Sequence, residues 1–530
     1  MNSAHSARTV IAALVRAGIS TFVLCPGSRS APFAYALYEA ERAGVIVLHV
    51  ETDERVAGFV ALGSGLAGRP AAVVTTSGTA VANLHPALEE AHRAGVALVA
   101  VTADRPHGMR GVGASQTTDQ MAVLAGSVRA QFDLPTDMKT QQLRGIVLRA
   151  VRIATGEALE AAGPGPVQLN VGFEPPLVPE ESWGTVAQDC AIEVPEAGEA
   201  RTVVVAAPSH LAVDPADLAG VPVLAEPSSP LWGSASAIAC HPILLRSELA
   251  KHIERVVVIG HPTLTRDVSA LLARTDIDVV VADDVPIYTD VAGTARVVSL
   301  EKALALATWD ARWLGQWQAL ARKAVAAIEE QAGEGLTFAN VARSLDPAVP
   351  TLLGASSIIR EVNLFAQVGR GHAFLANRGL AGIDGTMSTA IGMALVRGSM
   401  RVVVGDLTFI HDLGSLVHTA GQEGVNLDVV VIDDHGGSIF ATLEHGGAPE
   451  PLYSRVFATA KEIDVEAYSR AVGAAFVRVG SLAELREALA AQAKGVRIVY
   501  VDLESHTAAQ LKSGRGELQR VVENAISPQS

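Results

Sequence analysis

The sequence predicts an α/β protein made of three doubly wound parallel-sheet domains, and three observations predict it. First, short β-branched runs recur along the chain without polar alternation, as in TFVLCPG, RTVVVAAP, RVVVIGHP and LDVVVIDD. Runs of that kind belong to parallel strands covered by helices on both faces. Second, each run is followed by a stretch with apolar residues at helical spacing, and strands alternating with helices build a doubly wound sheet. Third, 530 residues are too many for one core, and at roughly 100–200 residues per domain they imply three.

The elements follow in order. The opening stretch MNSAHSARTVIAALVRAGIS has no long apolar core with a small-residue cleavage site and reads as an amphipathic helix of the fold. TFVLCPG is a strand entering a Pro-Gly turn, and SRSAPFAYALYEA is the helix after it. VIVLHV (45–50) is the next strand, with ETDERVAGFVALGSGLAG as its helix. AAVVTTSGTAVANLHPALEEAHRAG is a further strand-turn-helix, and VALVAVTADRP a further strand. This first domain covers 1–180, and the proline-rich stretch 163–183 ends it. A second domain, 195–335, repeats the pattern through VPVLAEP and IDVVVADD before helices rich in Ala, Glu and Lys. A third, 336–530, runs from TLLGASSIIREV to VRIVYVDLES, and its tail GELQRVVENAISPQS reads as a polar surface helix.

Lys+Arg 41 against Asp+Glu 56 leaves a net charge of −15, spread along the chain, which argues for solubility and against nonspecific nucleic-acid binding. An anionic substrate would then need local arginines. Cys25, Cys190 and Cys240 lie far apart with no C-x-x-C, as expected of reduced, buried thiols in a cytosolic protein. No uncharged apolar run reaches the ~18 residues of a membrane span. A soluble, cytoplasmic protein is expected.

The chemistry is densest in 402–440, VVVGDLTFIHDLGSLVHTAGQEGVNLDVVVIDDHGGSIF. Asp406 ends one apolar strand and Asp434 the next, about 28 residues on. Ligands gather at the carboxyl ends of parallel strands, so these two carboxylates can converge. With the Gly436 carbonyl they suit Mg²⁺ (or Mn²⁺), a hard ion that often arrives on a diphosphate. Gly436 and Gly437 let the backbone approach that diphosphate. Ordinary helix-capping turns are the competing reading of either half alone. The pair resembles the thiamine diphosphate (ThDP) and Mg²⁺ signature, which opens Gly405-Asp406-Leu407 and closes at an Asn- or Asp-containing turn.

ThDP chemistry also needs a carboxyl group at N1′ of the aminopyrimidine, so that the 4′-imino group can take the C2 proton. That group belongs on another α/β unit, and Glu54 in ETDERVAGF is the candidate. Its bland reading is an acidic residue complementing a helix dipole, a role Glu51 and Asp53 fit better. A working Glu54 is expected to be shielded from water.

CPGSRSAPFAYAL, TDERVAGFVALG, VTTSGTAVANLHPALEEA, VTADRP, GASQTTDQ, NRGLAGIDGTMSTA and GDLTFIHD…GGSIF occur in order. Together they closely resemble the 2-succinyl-5-enolpyruvyl-6-hydroxy-3-cyclohexene-1-carboxylate synthase family, the ThDP enzymes of menaquinone biosynthesis. The resemblance covers all three domains, least closely the middle one. It implies the fold of the ThDP-dependent enzymes, with 1–180 as the pyrimidine-binding domain and 336–530 as the diphosphate-binding domain. The implied reaction decarboxylates 2-oxoglutarate and adds the resulting enamine to isochorismate. Both substrates are dianions, and Arg29, Arg105, Arg360 and Arg378 fall where the family places carboxylate-binding arginines; a guanidinium grips a carboxylate through two parallel hydrogen bonds. Ser28, Gln116 and Ser356 (with Ser357) resemble polar substrate contacts, and Gln116 also a cofactor contact. Ile383 resembles the wedge that bends ThDP, with core packing as the alternative. Ile439 and Phe440 line the substrate pocket or pack in the core, Ile439 also beside the cofactor. Arg266 is an outlying substrate candidate in the middle domain. His85, His107 and His411 are scattered singly and read as structural.

Two departures stand out. The second metal motif reads Ile432-Asp433-Asp434-His435-Gly436-Gly437, so Asp434 adds a negative charge and His435 stands where Asn is common. Neither removes an oxygen ligand. The family arrangement also implies a homodimer or a dimer of dimers, with ThDP between the first domain of one subunit and the third of another. Two other readings share parts of this pattern: a different ThDP-dependent 2-oxo acid decarboxylase, and a cofactor-binding sensor without catalysis.

Overall fold

A computed structural model describes residues 2–157, 163–191, 200–283, 288–369, 374–417, 424–491, 493–503 and 508–527. The chain divides into two compact units, Met1–Ala197 with Val285–Ala295, and Gly198–Asp284 with Arg296–Ser530.

The first unit holds six parallel strands: β1 Thr21–Leu24, β2 Val47–Val50, β3 Ala71–Thr75, β4 Leu98–Asp104, β5 Ala130–Leu134 and β6 Pro166–Gly172. Their order is β2-β1-β3-β4-β6-β5. Successive side chains leave opposite faces of a strand. Phe22 and Leu24 accordingly join one core with Phe33 and Val99. Val23 and Cys25 join another with Ala57, Ala61 and Leu88. Both faces are therefore apolar, which is why β1 and β3 show no polar alternation. The opening helix, Ser3–Arg16, buries Val10, Ile11 and Leu14 against the first of these cores. Asp53 caps the Glu54–Leu66 helix, accepting from the Arg55 and Val56 N–H groups at 2.9 and 3.3 Å.

The second unit holds two five-stranded parallel sheets. The first comprises β7 Thr202–Ala206, β8 Val223–Ala225, β9 Arg255–Ile259, β10 Asp278–Ala282 and β11 Arg296–Val297, in the order β11-β10-β9-β7-β8. The other comprises β12 Thr351–Leu353, β13 Ser399–Gly405, β14 Asn426–Asp433, β15 Ala475–Val479 and β16 Val496–Asp502, in the order β12-β13-β14-β16-β15. One apolar core spans both, joining Val204, Val257 and Val280 to Val403, Val430 and Val499. Three parallel sheets with intervening helices are the α/β architecture expected from the sequence.

Register matters most at β13 and β14. Gly405 pairs with Ile432, so Asp406 follows β13 at the level where β14 ends in Asp433. The tail is less polar than its composition suggests: the Ala508–Ile526 helix buries Leu518 and Val522 and packs on the Ala311–Gln331 helix and on the Ser438–Thr442 turn.

Candidate active site

The first unit assembles one set of candidates at the carboxyl ends of β1, β3 and β4. Arg29, in the turn after β1, is buried and donates to the Phe173 carbonyl at 2.6 Å, while its Nε has no hydrogen-bond partner among the described residues. Burial, then the charge of Arg105, lowers its pKa. Arg105 follows β4 and donates to Ser77 Oγ at 3.2 Å and to the Ser115 carbonyl at 2.9 Å. Gln116 has the left-handed φ of 57° and bonds through its side-chain amide to the Ser77 carbonyl at 2.9 Å. Ser28 and Gln116 are exposed. Glu54 starts its helix half-buried and accepts from Asn83 Nδ2 at 3.3 Å. It is not shielded from water within the chain itself, contrary to the expectation for a working carboxyl group. The surrounding surface is apolar and open: Val47 and Val50 on edge strand β2 are 62 and 54 % exposed, and Val56, Phe59 and Val60 on the Glu54 helix 39–45 %.

The second unit assembles the other set. Asp406 and Asp434 are both buried, and their carboxyl groups lie within hydrogen-bonding reach of each other. Burial, then the nearby Asp433 charge, pushes Asp406 up to about 6. Burial, then Asp406, holds Asp434 well above the usual carboxylate range. Asp406 Oδ2 is buried with no hydrogen-bond partner among the described residues, and Ser438 Oγ donates to Asp434 Oδ2. Two crowded carboxylates with an unfilled oxygen are what a divalent cation would resolve. Gly436 has φ +122°, and a Cβ there would stand 2.4 Å from the Ala458 carbonyl oxygen, so only glycine fits this turn. At Gly437 a Cβ would meet the Phe440 ring at 2.8 Å. The described residues contain no cluster of three or more His, Cys, Asp or Glu side chains able to hold a metal alone. A cation here would take further oxygens from its own ligands, as an ion on a diphosphate does.

Arg360 and Arg378 lie in the same unit. Arg360 belongs to the Ser357–Phe365 helix and donates to the Ser356 carbonyl at 2.7 Å; burial, then Arg378, lowers its pKa. Arg378 is buried, and its Nη1 has no hydrogen-bond partner among the described residues. Two guanidiniums that feel each other and retain a free buried donor suit a carboxylate-bearing ligand. Ile439 and Phe440 are half-buried in the turn after Gly437, and Phe440 packs against Phe457 with ring centroids 6.0 Å apart. Ile383 is half-buried and lies outside the buried cores of this sheet. Arg266 is exposed and ion-paired with Glu444 at 3.0 Å, just beyond Phe440.

Family models match both sets. The thiamine pyrophosphate enzyme N-terminal TPP binding domain matches residues 5–123, and the corresponding C-terminal TPP binding domain matches 355–503. Thiamine pyrophosphate is ThDP under its other name. A 2-succinyl-5-enolpyruvyl-6-hydroxy-3-cyclohexene-1-carboxylate synthase from a Nocardioides species is 43% identical over 526 residues, covering 93% of this chain and 94% of its own. One from Kineococcus radiotolerans is 43% identical over 94% of this chain and 96% of its own, and one from an Arthrobacter species 39% identical over 94% and 89%. This chain belongs to the 2-succinyl-5-enolpyruvyl-6-hydroxy-3-cyclohexene-1-carboxylate synthase family.

As a member of that family and a TPP-dependent enzyme, the chain carries several site-shaping residues that its motifs did not reveal. Asp433 is structural: its carboxylate accepts from Tyr500 Oη at 2.5 Å and from the His435 N–H at 2.9 Å. His435 turns outward with φ 57°, its ring 3.3 Å from Asp502. Thr263 and Glu226 hold Arg378, and Arg515 from the tail helix pairs with buried Glu361 at 3.1 Å, beside Arg360. Asp433 and His435 stand inside the second metal motif and Glu361 beside Arg360, whereas Glu226, Thr263 and Arg515 stand far from the motifs in sequence. Of these three, only the polar identity of Glu226 in an apolar strand-turn was a visible signal.

Proposed function

We propose that the protein catalyses ThDP- and Mg²⁺-dependent decarboxylation of 2-oxoglutarate and conjugate addition of the resulting four-carbon unit to isochorismate. The products are 2-succinyl-5-enolpyruvyl-6-hydroxy-3-cyclohexene-1-carboxylate and CO₂, in menaquinone biosynthesis. The observation that carries this reading is the placement of half-buried Arg360 and buried Arg378 in the same unit as the crowded Asp406–Asp434 pair. A cofactor diphosphate and a dicarboxylate substrate call for those two sets of groups.

ThDP, when bound, supplies a carbanion-stabilising thiazolium. The chain's residues do the rest. Asp406, Asp434 and the Gly436 carbonyl hold Mg²⁺, with Mn²⁺ as a substitute, and Gly405, Leu407 and Gly437 present backbone to the diphosphate. Ile383 and Ile439 shape the cofactor's seat. Glu54 holds a proton at the aminopyrimidine N1′. Ser28, Arg29, Arg105, Gln116, Ser356, Arg360 and Arg378 bind substrate carboxylates and hydroxyls, Phe440 walls the pocket, and Arg266 is the outermost contact. The half-exposed Glu54 and the apolar surface around it are to be covered by a second copy of the chain, making a homodimer the smallest active unit. Domain limits of 1–180, 195–335 and 336–530 follow the same family arrangement. A cytoplasmic location is supported by three free, buried cysteines, with burial pushing Cys190 up to about 11 and Cys25 to about 12. No helix among the described residues is long and apolar enough to cross a membrane.

The test is to strip the protein with chelator, then follow isochorismate loss and CO₂ release with 2-oxoglutarate, adding ThDP and Mg²⁺ separately and together. Turnover with both cofactors and both substrates is expected. CO₂ without isochorismate loss would make the protein a plain decarboxylase, and bound ThDP without turnover would make it a sensor.

A further inference from the structure

Gln120 has no place in the site described above, yet it is 1 % exposed and bonded on every side. Its Oε1 accepts the Gly78 N–H at 3.0 Å, and its Nε2 donates to Asn170 Oδ1 at 2.7 Å. Asn170 Nδ2 in turn donates to Asp104 and Asp133, both at 2.9 Å. Arg110 closes the group, 3.1 Å from Asp104 and 2.7 Å from Asp133, and donates to the Arg105 carbonyl at 3.0 Å. The amide orientations are forced. Two carboxylates can face only the NH₂ end of Asn170, its oxygen can face only the NH₂ end of Gln120, and the remaining oxygen must meet a donor.

That donor lies between two candidate site residues. Gly78 has φ +84°, and a Cβ there would stand 2.8 Å from Gln116 Cγ, so the glycine is what allows Gln116 to pack against it. Ser77, one residue earlier, donates to the Gln116 carbonyl at 3.0 Å and accepts from Arg105 at 3.2 Å. Gln116 is thus kept in a left-handed conformation that a non-glycine residue rarely adopts unaided. Following Gly78, the short Thr79–Asn83 helix ends in the residue that donates to Glu54 at 3.3 Å.

We propose that Gln120 is a positioning residue: it locks the Ser77–Gly78 turn, and through it sets Gln116 and Arg105 for substrate and Asn83 for Glu54. This rests on the reading of those residues as site groups. The variant Gln120→Met has nearly the same length and removes both amide contacts. In the cofactor-free protein, amide exchange of the peptide spanning 77–84 is expected to accelerate at least tenfold, while core peptides of β3 and β4 are unchanged. In the holoenzyme, the KM for the substrate that Arg105 and Gln116 hold, 2-oxoglutarate or isochorismate, is expected to rise at least fivefold, beyond any change in active fraction. Ser77→Ala is the second variant, used also if Gln120→Met does not fold; it should raise the same KM, and the two together should raise it by less than the product of the single effects. Unchanged exchange at 77–84, or a lowered melting temperature with KM unchanged, overturns the proposal. A wild-type protein without turnover on 2-oxoglutarate and isochorismate overturns the functional reading instead, and the exchange measurement still decides the role of Gln120.

Discussion

Arg378 Nη2 donates to both the hydroxyl and the carbonyl oxygen of Thr263, at 2.8 and 3.0 Å. The Thr263 N–H is itself held by buried Glu226 at 2.9 Å. A residue of the loop after β9 therefore sets the direction of a guanidinium carried by the segment after β12, and leaves its Nη1 without a hydrogen-bond partner among the described residues. Thr263→Val removes the hydroxyl and keeps the carbonyl. Losing a charge-assisted hydrogen bond of about 1.5 kcal/mol should raise the KM for the substrate that Arg378 binds about tenfold. Steady-state kinetics check this; an unchanged KM for both substrates would remove Arg378 from the binding set.

The Asp406–Asp434 pair predicts two effects of opposite sign. Asp434→Asn relieves the repulsion between buried carboxyl groups, so the cofactor-free protein should melt higher than wild type. The same change keeps an oxygen ligand but removes one of the two carboxylate charges that would face Mg²⁺, so the rise in melting temperature on adding Mg²⁺ and ThDP should shrink, with affinity falling about tenfold. Thermal melts with and without cofactors read both. A variant less stable in the absence of cofactors and equally stabilised by them would place the metal elsewhere.

Glu54→Gln keeps the size of the side chain and an acceptor for Asn83 while removing the acid. Turnover should fall about 10²- to 10⁴-fold, the range of general acid–base catalysis, with ThDP affinity within about threefold of wild type. Titration of ThDP alongside single-turnover kinetics separates the two effects. Wild-type turnover in this variant would end the assignment.

His241 predicts a pH dependence of stability. It is 1 % exposed, and burial depresses its pKa to about 3. Unfolded, it titrates near 6.5. Below that value the unfolded chain binds the proton that the folded chain refuses, so the stability contributed by neutral His241 is full above about pH 7 and is lost as pH falls. Between pH 7 and 5 the loss should be about 2 kcal/mol. Buried Glu226 and Glu361 have raised pKa values and act in the opposite sense, so the comparison must be with His241→Leu. Urea unfolding of both proteins across this range should show the stability of wild type, taken relative to the variant, falling by about 2 kcal/mol from pH 7 to 5; a constant difference would rule out titration of His241.

The sequence by itself determined the architecture and the chemical family. Apolar runs such as VVVIG and DVVVID can only be strands covered on both faces, and β9 and β14 lie where those runs stand. The strand-terminal Asp406 and Asp434 were visible because parallel register brings neighbouring strand ends to one level, a consequence of periodicity alone. Tertiary structure decided what no local pattern encodes. It paired Arg378 with Thr263, assigned Asp433 to Tyr500 rather than to a metal, turned His435 outward, and buried Gln120 as the link between Asn170 and Gly78. It also left Glu54 half-exposed within the chain. The division has a physical reason. Strand and helix patterns record which face of one element is buried, and neighbours along the chain suffice for that. The direction of a hydrogen bond, and the protonation of a buried carboxyl group, depend on groups 30 to 130 residues away that only the packed fold brings within 3 Å.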